Sequence, residues 1–175
     1  MSSSRGLRGG TLEELITLTN DKYRRQKLAC VQKVPTPITP VEICKESRTI
    51  KLAYFEKRST VDFMGAVQGI PICFDAKETR LKNLPIANIH SHQIEFMEDF
   101  TAQGGIAFML VHFTVYDEYF FLSLDALKPW WQQAQAGGRK SIPYENFDQT
   151  YRIANQGGAF IHYLEAISTF LSEQS

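Results

Sequence analysis

The sequence predicts an α/β domain in which a mixed central sheet is flanked by helices. Three stretches carry that expectation. Thr11, with Glu14 three residues on and an apolar stripe of Leu12, Leu15, Ile16 and Leu18, reads as a capped amphipathic helix running to about Gln26. Ile106–Phe113 is an unbroken apolar run with β-branched and aromatic content, the composition of a strand buried in a central sheet. Between them, Ile70-Pro71-Ile72-Cys73-Phe74 forms a second apolar strand that ends on Asp75-Ala76-Lys77. At 175 residues the chain has room for one domain with a real core.

In chain order, residues 1–10 are rich in Ser, Gly and Arg and read as a disordered basic arm. Arg5 and Arg8 there either grip phosphates or belong to a frayed terminus. The first helix begins the domain, residues 11–175, and carries Glu13 and Glu14 in its first turn, where carboxylates suit the helix dipole. Lys22, Arg24, Arg25 and Lys27 gather near its other end. Leu28–Lys33 reads as a strand. Val34–Pro40 is too rich in proline for a central strand or a helix. Val41–Phe55 then shows short β-like runs among charges, Lys51 included, with Lys57 and Arg58 following. After the Asp75 strand, Arg80–Ile89 reads as a loop. A helix starts at Ser91, carries Ile94, Phe96, Met97 and Phe100, and stops at Gly104-Gly105. Tyr119–Leu124 is the expected neighbour of the 106–113 strand, and Asp125 the expected cap of a helix over Ala126–Gln135. Trp130 and Trp131 within it fit core packing better than base stacking. Gly137–Ile142, with Arg139 and Lys140, is a basic loop suited to phosphate or to solvent. Tyr163–Leu171 closes the chain as an amphipathic helix.

The chemistry gathers around the middle strand. Asp62 stands just before a turn-rich segment containing Gly65 and Gly69, and the Ile70–Phe74 strand then delivers Asp75 and Lys77. Alternate side chains of a strand share a face, so Asp75 and Lys77 point one way and Ala76 the other. Two carboxylates are hard oxygen ligands for Mg²⁺, with Mn²⁺ able to substitute. Such a metal polarises a phosphodiester and acidifies water, while a lysine orients water or offsets charge in the transition state.

Five segments in this order, RSTVDFMG, FDAKET, HSHQIEFM, GGIAFMLV and GGRKSI, resemble the RecU family of Holliday junction resolvases. The resemblance runs from about Leu12 to about Leu164. It implies a restriction-endonuclease-like fold, a homodimer, four-way DNA junctions as substrate and Mg²⁺-dependent paired symmetric nicks during recombination and repair. It also implies a metal shell of Thr60, Asp62, Asp75 and Gln93, with Lys77 as transition-state stabiliser and Glu13 facing the site from the first helix. A stalk insertion spanning about residues 34–56 follows from the same resemblance, as does possible traffic with a RecA-type recombinase. In the family the second acid is usually glutamate; here it is Asp75. Two rival readings stand beside this one: a non-cleaving junction-binding or recombinase-modulating accessory protein, and a nuclease of the same fold acting on another DNA.

Charge and cysteines narrow the classes. The net charge is zero, yet the chain up to Lys82 holds fifteen Lys and Arg against nine Asp and Glu, and the remainder reverses the balance. That asymmetry suggests a surface for an anionic partner, DNA, with Arg80 among its cations. Cys30, Cys44 and Cys73 lack metal-ligand spacing, and Cys30 and Cys73 read as buried thiols. No apolar run approaches the ~20 residues of a membrane span, and no secretory leader is present, so a cytoplasmic location is expected. No phosphate-binding glycine loop or nucleophile elbow is present, which leaves nucleotide hydrolysis and serine-hydrolase chemistry without support.

Overall fold

Thr11 opens helix α1 (Leu12–Arg25) with the reciprocal cap its sequence predicts. The Glu14 N–H donates to Thr11 Oγ1 at 3.3 Å, and the Thr11 N–H donates to Glu14 Oε2 at 2.9 Å. The structure is a computed structural model that describes residues 11–55, 60–154 and 161–174. The expected arm and the cations Arg5, Arg8, Lys57 and Arg58 lie outside the described residues.

The body is one six-stranded mixed sheet. Its order is β1 (Cys30–Lys33), β4 (Phe63–Val67), β5 (Ile70–Thr79), β7 (Ile106–Phe113), β8 (Glu118–Ser123) and β10 (Arg152–Ile153). Only the β5–β7 pair is parallel, and its crossover carries helix α2 (Ser91–Ala102). This central pair explains the continuous apolar spelling of β7, which is covered on both sides. One sheet face packs against α1 and the last helix, α4 (Leu164–Glu173), through Ile16, Phe74, Phe108, Tyr163 and Ile167. Phe63, Phe74, Phe108 and Phe121 form a stacked ladder across four strands, with centroids 4.4–5.0 Å apart. Aromatic pairs of this kind contribute about 0.5–1.5 kcal/mol each beyond their buried area. The other face packs against α2 and α3 (Leu124–Gln135) through Cys73, Met97, Met109, Val111 and Leu127.

Two small pairs stand apart from the sheet. β2 (Ile38–Cys44) and β3 (Thr49–Phe55) pair with each other, and Ile43, Ile50, Leu52, Tyr54 and Phe55 are exposed along them. Pro40 sits in this ribbon where the register shifts, so the end of the proline-rich stretch, Ile38–Pro40, joins a strand, though not a central one, while residues 34–37 form none. The second pair corrects the expected 80–89 loop. β6 (Asn83–Pro85) pairs antiparallel with β9 (Ser141–Pro143), and a 3₁₀ turn over Ile86–Asn88 follows β6. The partner strand is distant in sequence, so no local pattern announces it.

Two smaller corrections share one cause, the direction in which a side chain leaves its element. The α3 cap is Ser123, whose Oγ accepts the Ala126 N–H at 3.2 Å, and Asp125 sits in the first turn. Cys30 is exposed because β1 is an edge strand and Cys30 faces outward, whereas Cys73 is buried as expected. Trp130 and Trp131 are half-buried against the second core, as expected.

Candidate active site

The site is built by the β4–β5 hairpin. Gln68 and Gly69 both take positive φ, 49° and 89°, the twist that lets two residues join antiparallel strands. The register pairs Phe63 with Phe74, and one residue further it sets Asp62 opposite Asp75. The Ala76 N–H donates to Asp62 Oδ2 at 2.8 Å, which anchors the first carboxylate to the strand bearing the second.

Asp75 has no solvent exposure, and Lys77, 15% exposed, places Nζ 2.5 Å from its Oδ2. The period of two expected along β5 is therefore realised, with Ala76 on the opposite face against the first core. The Lys77 contact is an ion pair without hydrogen-bond direction: neither Asp75 oxygen has a hydrogen-bond partner among the described residues. Asp62 is held at a pKa of about 7, raised first by burial and then by the neighbouring Asp75 charge, against the lowering effect of the Ala76 N–H. A buried and a half-buried carboxyl group side by side, with Asp75 Oδ1 unpartnered and its Oδ2 met only by Lys77, form a donor set suited to a hard divalent cation. Among the described residues no cluster of three or more His, Cys, Asp or Glu could hold a metal ion. A two-carboxylate set matches Mg²⁺, which commonly takes one or two carboxylates and fills its remaining positions with water and phosphate oxygens.

The other expected ligands stand around this pair differently. Thr60 is half-buried two residues ahead of Asp62. Gln93 is buried, but its Oε1 accepts the His90 N–H at 3.1 Å and so caps α2. Glu13 does not join the pair; its Oε2 lies 2.5 Å from Lys33 Nζ. Glu13 is still close enough for its charge to help raise Asp62. Lys33, at the end of β1, is the residue that sequence reasoning missed. Its ammonium is stabilised first by the Glu13 hydrogen bond and charge, and also by Asp62. Nothing in VQKVPTP marks it, because its neighbours come from α1 and β4. Glu13 and Lys33 line a cavity of about 440 Å³ with Thr11, Thr17 and Leu18.

Of the expected DNA-binding cations, Arg24 pairs with Asp21 at 3.2 Å and Lys51 with Glu42 at 3.3 Å, all exposed. Arg25, Arg80, Arg139 and Lys140 are exposed.

The family model for Recombination protein U matches residues 7–169. The chain belongs to the RecU family. A Holliday junction resolvase RecU of Bacillus cereus is 40% identical over 167 residues, covering 93% of this chain and 84% of that protein. The RecU of Oceanobacillus iheyensis is 44% identical over 165 residues, covering 91% of this chain and 84% of its relative. Among solved structures, the Holliday junction resolvase Hjc of Archaeoglobus fulgidus is similar over 74% of this chain and 88% of that one, with a TM-score of 0.43 and 9% identity.

Proposed function

We propose that this RecU chain is a divalent-metal-dependent endonuclease that resolves Holliday junctions by paired symmetric nicks. The observation that carries the reading is the pairing of half-buried Asp62 with fully buried Asp75, with Lys77 at its edge. Asp62 and Asp75 would hold a divalent cation, which when bound would supply Lewis-acid polarisation of the phosphodiester and acidification of water. Mg²⁺ fits the oxygen donors, and Mn²⁺ fits them as well.

The chain's own groups do the rest. The Ala76 N–H holds Asp62 in place. Lys77 balances the Asp75 charge before substrate arrives, then offers its ammonium to the negative charge that builds on phosphate. Thr60 and Gln93 are neutral oxygens to complete the shell, Gln93 by releasing the His90 N–H. Glu13 acts through Lys33, which keeps a positive charge beside Asp62.

Two nicks in a nearly two-fold junction call for two sites related by the same axis, hence a homodimer. The β2–β3 ribbon, within the stalk insertion of about residues 34–56, serves as an arm that meets the open centre of the junction. A cytoplasmic location and contact with a RecA-type recombinase complete the reading. No helix among the described residues is long and apolar enough to cross a membrane.

The deciding experiment is cleavage of an end-labelled four-way junction with Mg²⁺ against EDTA, beside linear duplex and flap substrates. Metal-dependent, symmetric nicking of the junction is expected. Binding without cleavage would favour an accessory protein instead.

A further inference from the structure

We infer that Leu81, Val115 and Tyr116 form an apolar face that enters the minor groove of a duplex arm, on the side of the active site away from the β2–β3 ribbon. This rests on the junction-resolving reading and adds how an arm of the substrate is gripped.

Apolar exposure on the body is local. Outside the ribbon, the large apolar side chains exposed among the described residues are Leu18, Leu81, Val115 and Tyr116. Exposed cations, by contrast, are scattered, with Arg25 and Lys27 at the end of α1 and Arg139 and Lys140 ahead of β9. Three of the four apolar residues meet at one place. The Thr79 carbonyl accepts from Thr114, through both its N–H at 3.0 Å and its hydroxyl at 3.2 Å, which joins the loop after β5 to the turn after β7. Tyr144 closes the group. Its N–H donates to the Lys82 carbonyl at 3.0 Å, and its ring packs on Tyr116 with centroids 4.2 Å apart.

The face is braced from behind. Thr79 Oγ1 donates to the Asn83 carbonyl at 2.9 Å and accepts the Leu81 N–H at 3.1 Å. The Tyr116 N–H donates to the Phe113 carbonyl at 3.1 Å, and the Tyr144 ring stands edge-on to buried Phe113. A surface held this way loses little freedom when it is covered.

Sheet topology sets the face beside the chemistry. The Val34 N–H donates to the Asp62 carbonyl at 2.8 Å, so the ribbon leaves the sheet at the Asp62 end of β4. The β4–β5 register brings that end to Asp75 and Lys77. The parallel β5–β7 register pairs Thr79 with Phe113 and brings both apolar loops to the same end. In the order β4-β5-β7, the active-site strand stands between the ribbon root and the β7 turn, with about 4.8 Å from strand to strand. DNA whose branch point meets the ribbon and whose scissile phosphate lies at Lys77 continues over Leu81 and Tyr116 as duplex.

The composition names the groove. Arg80 and Lys82, both exposed, flank Leu81. The acids beside the face are engaged: Asp117 Oδ1 lies 3.3 Å from His112 Nε2, and Glu118 accepts the Tyr144 hydroxyl at 2.5 Å and Arg152 at 2.9 Å. Apolar side chains framed by cations are what minor-groove binders present, whereas major-groove readout rests on hydrogen-bonding side chains.

The test is metal-free binding, in EDTA, of a labelled linear duplex and a four-way junction over a series of salt concentrations. The parent is compared with Leu81→Ser/Val115→Ser/Tyr116→Ser and with the apolar replacement Leu81→Met/Val115→Ile/Tyr116→Phe. Circular dichroism checks folding, and light scattering checks oligomeric state. The serine variant should bind both DNAs about tenfold more weakly with the parental log–log salt slope, because apolar contact is lost and no phosphate contact is. The apolar replacement should recover the parental affinity. Netropsin, which fills the minor groove of A·T-rich duplex, should compete with the parent and compete less with the serine variant. Parental duplex affinity in the serine variant, or equal competition by netropsin, overturns the face. So does a changed oligomeric state, which would assign these residues to a contact between copies of the chain, or a loss confined to the junction, which would place them at the branch point. If the serine variant does not fold, Tyr116→Ser alone decides by the same comparison. A parent without junction preference would instead count against the junction reading, and its duplex binding would still decide the face.

Discussion

Asp62 accepts the backbone N–H of Ala76 across the β4–β5 hairpin, so the first acid of the site is fastened to the strand that presents the second. A one-residue slip in hairpin register would turn Asp75 and Lys77 to the opposite face. The chemistry therefore depends on a two-residue turn at Gln68-Gly69 as much as on the acids themselves.

Asp75→Asn and Lys77→Ala should each slow junction nicking by about 10²–10³-fold, the usual cost of losing one preorganised electrostatic group. Both variants should still shift a junction in a gel with Ca²⁺ or EDTA present. Cleavage at the parental rate by either variant would remove that residue from the site.

The raised pKa of Asp62 makes metal-free stability fall with pH. Its folded value of about 7 exceeds the ordinary 3.8. Its contribution is therefore fully present below about pH 4 and lost as pH rises through about 7. Calorimetry of metal-free protein should show a lower Tm at pH 8.5 than at pH 6, with Asp62→Asn flattening the difference by several degrees. Millimolar Mg²⁺ should raise the Tm of the parent at pH 8.5 and leave that of Asp62→Asn nearly unchanged. An unaltered pH dependence in Asp62→Asn would refute this account.

Lys33→Met removes the cation between Glu13 and Asp62. The Glu13–Lys33 pair is half exposed, so stability should change by less than about 1 kcal/mol. Nicking at neutral pH should fall several-fold, because Asp62 then faces the uncompensated charge of Glu13. The double variant Glu13→Gln/Lys33→Met should recover part of that loss. Additive losses in the double variant would show that the two residues act separately.

The ribbon tests substrate choice and leaves the chemistry alone. Replacing about Thr39–Leu52 by a short Gly-Ser turn removes β2–β3 pairing and touches no site residue, and loop closure changes little with length. A folded truncation should lose junction preference over duplex in competition while retaining weak duplex binding. Unchanged preference would release the ribbon from any role in recognising the branch point.

What could be read from the sequence follows from the range of the interactions involved. The α1 cap, the β7 run and the shared face of Asp75 and Lys77 depend on neighbours within a few residues, and each appears as expected. Asp62 beside Asp75 was legible because a two-residue hairpin joins their strands. Lys33 was not, since α1 and β4 bring its partners. The β6–β9 pair was hidden for the same reason. Ser123 and Asp125 are both good capping residues two positions apart, and only backbone direction chooses between them. The Gln93 Oε1 is likewise engaged in a cap that spacing alone does not reveal.

Gly65 carries no chemistry, yet a methyl group on it would lie 2.1 Å from the Cys30 carbonyl oxygen and 2.6 Å from Val31 Cα. Backbone meets backbone there, so even alanine would have to pry the edge strand β1 away from the hairpin that aims Asp62. In a library of random variants selected for failed DNA repair, codon 65 should therefore collect as many hits as codons 62, 75 and 77. Scored by inheritance alone, a residue with no side chain would be counted among the essential ones.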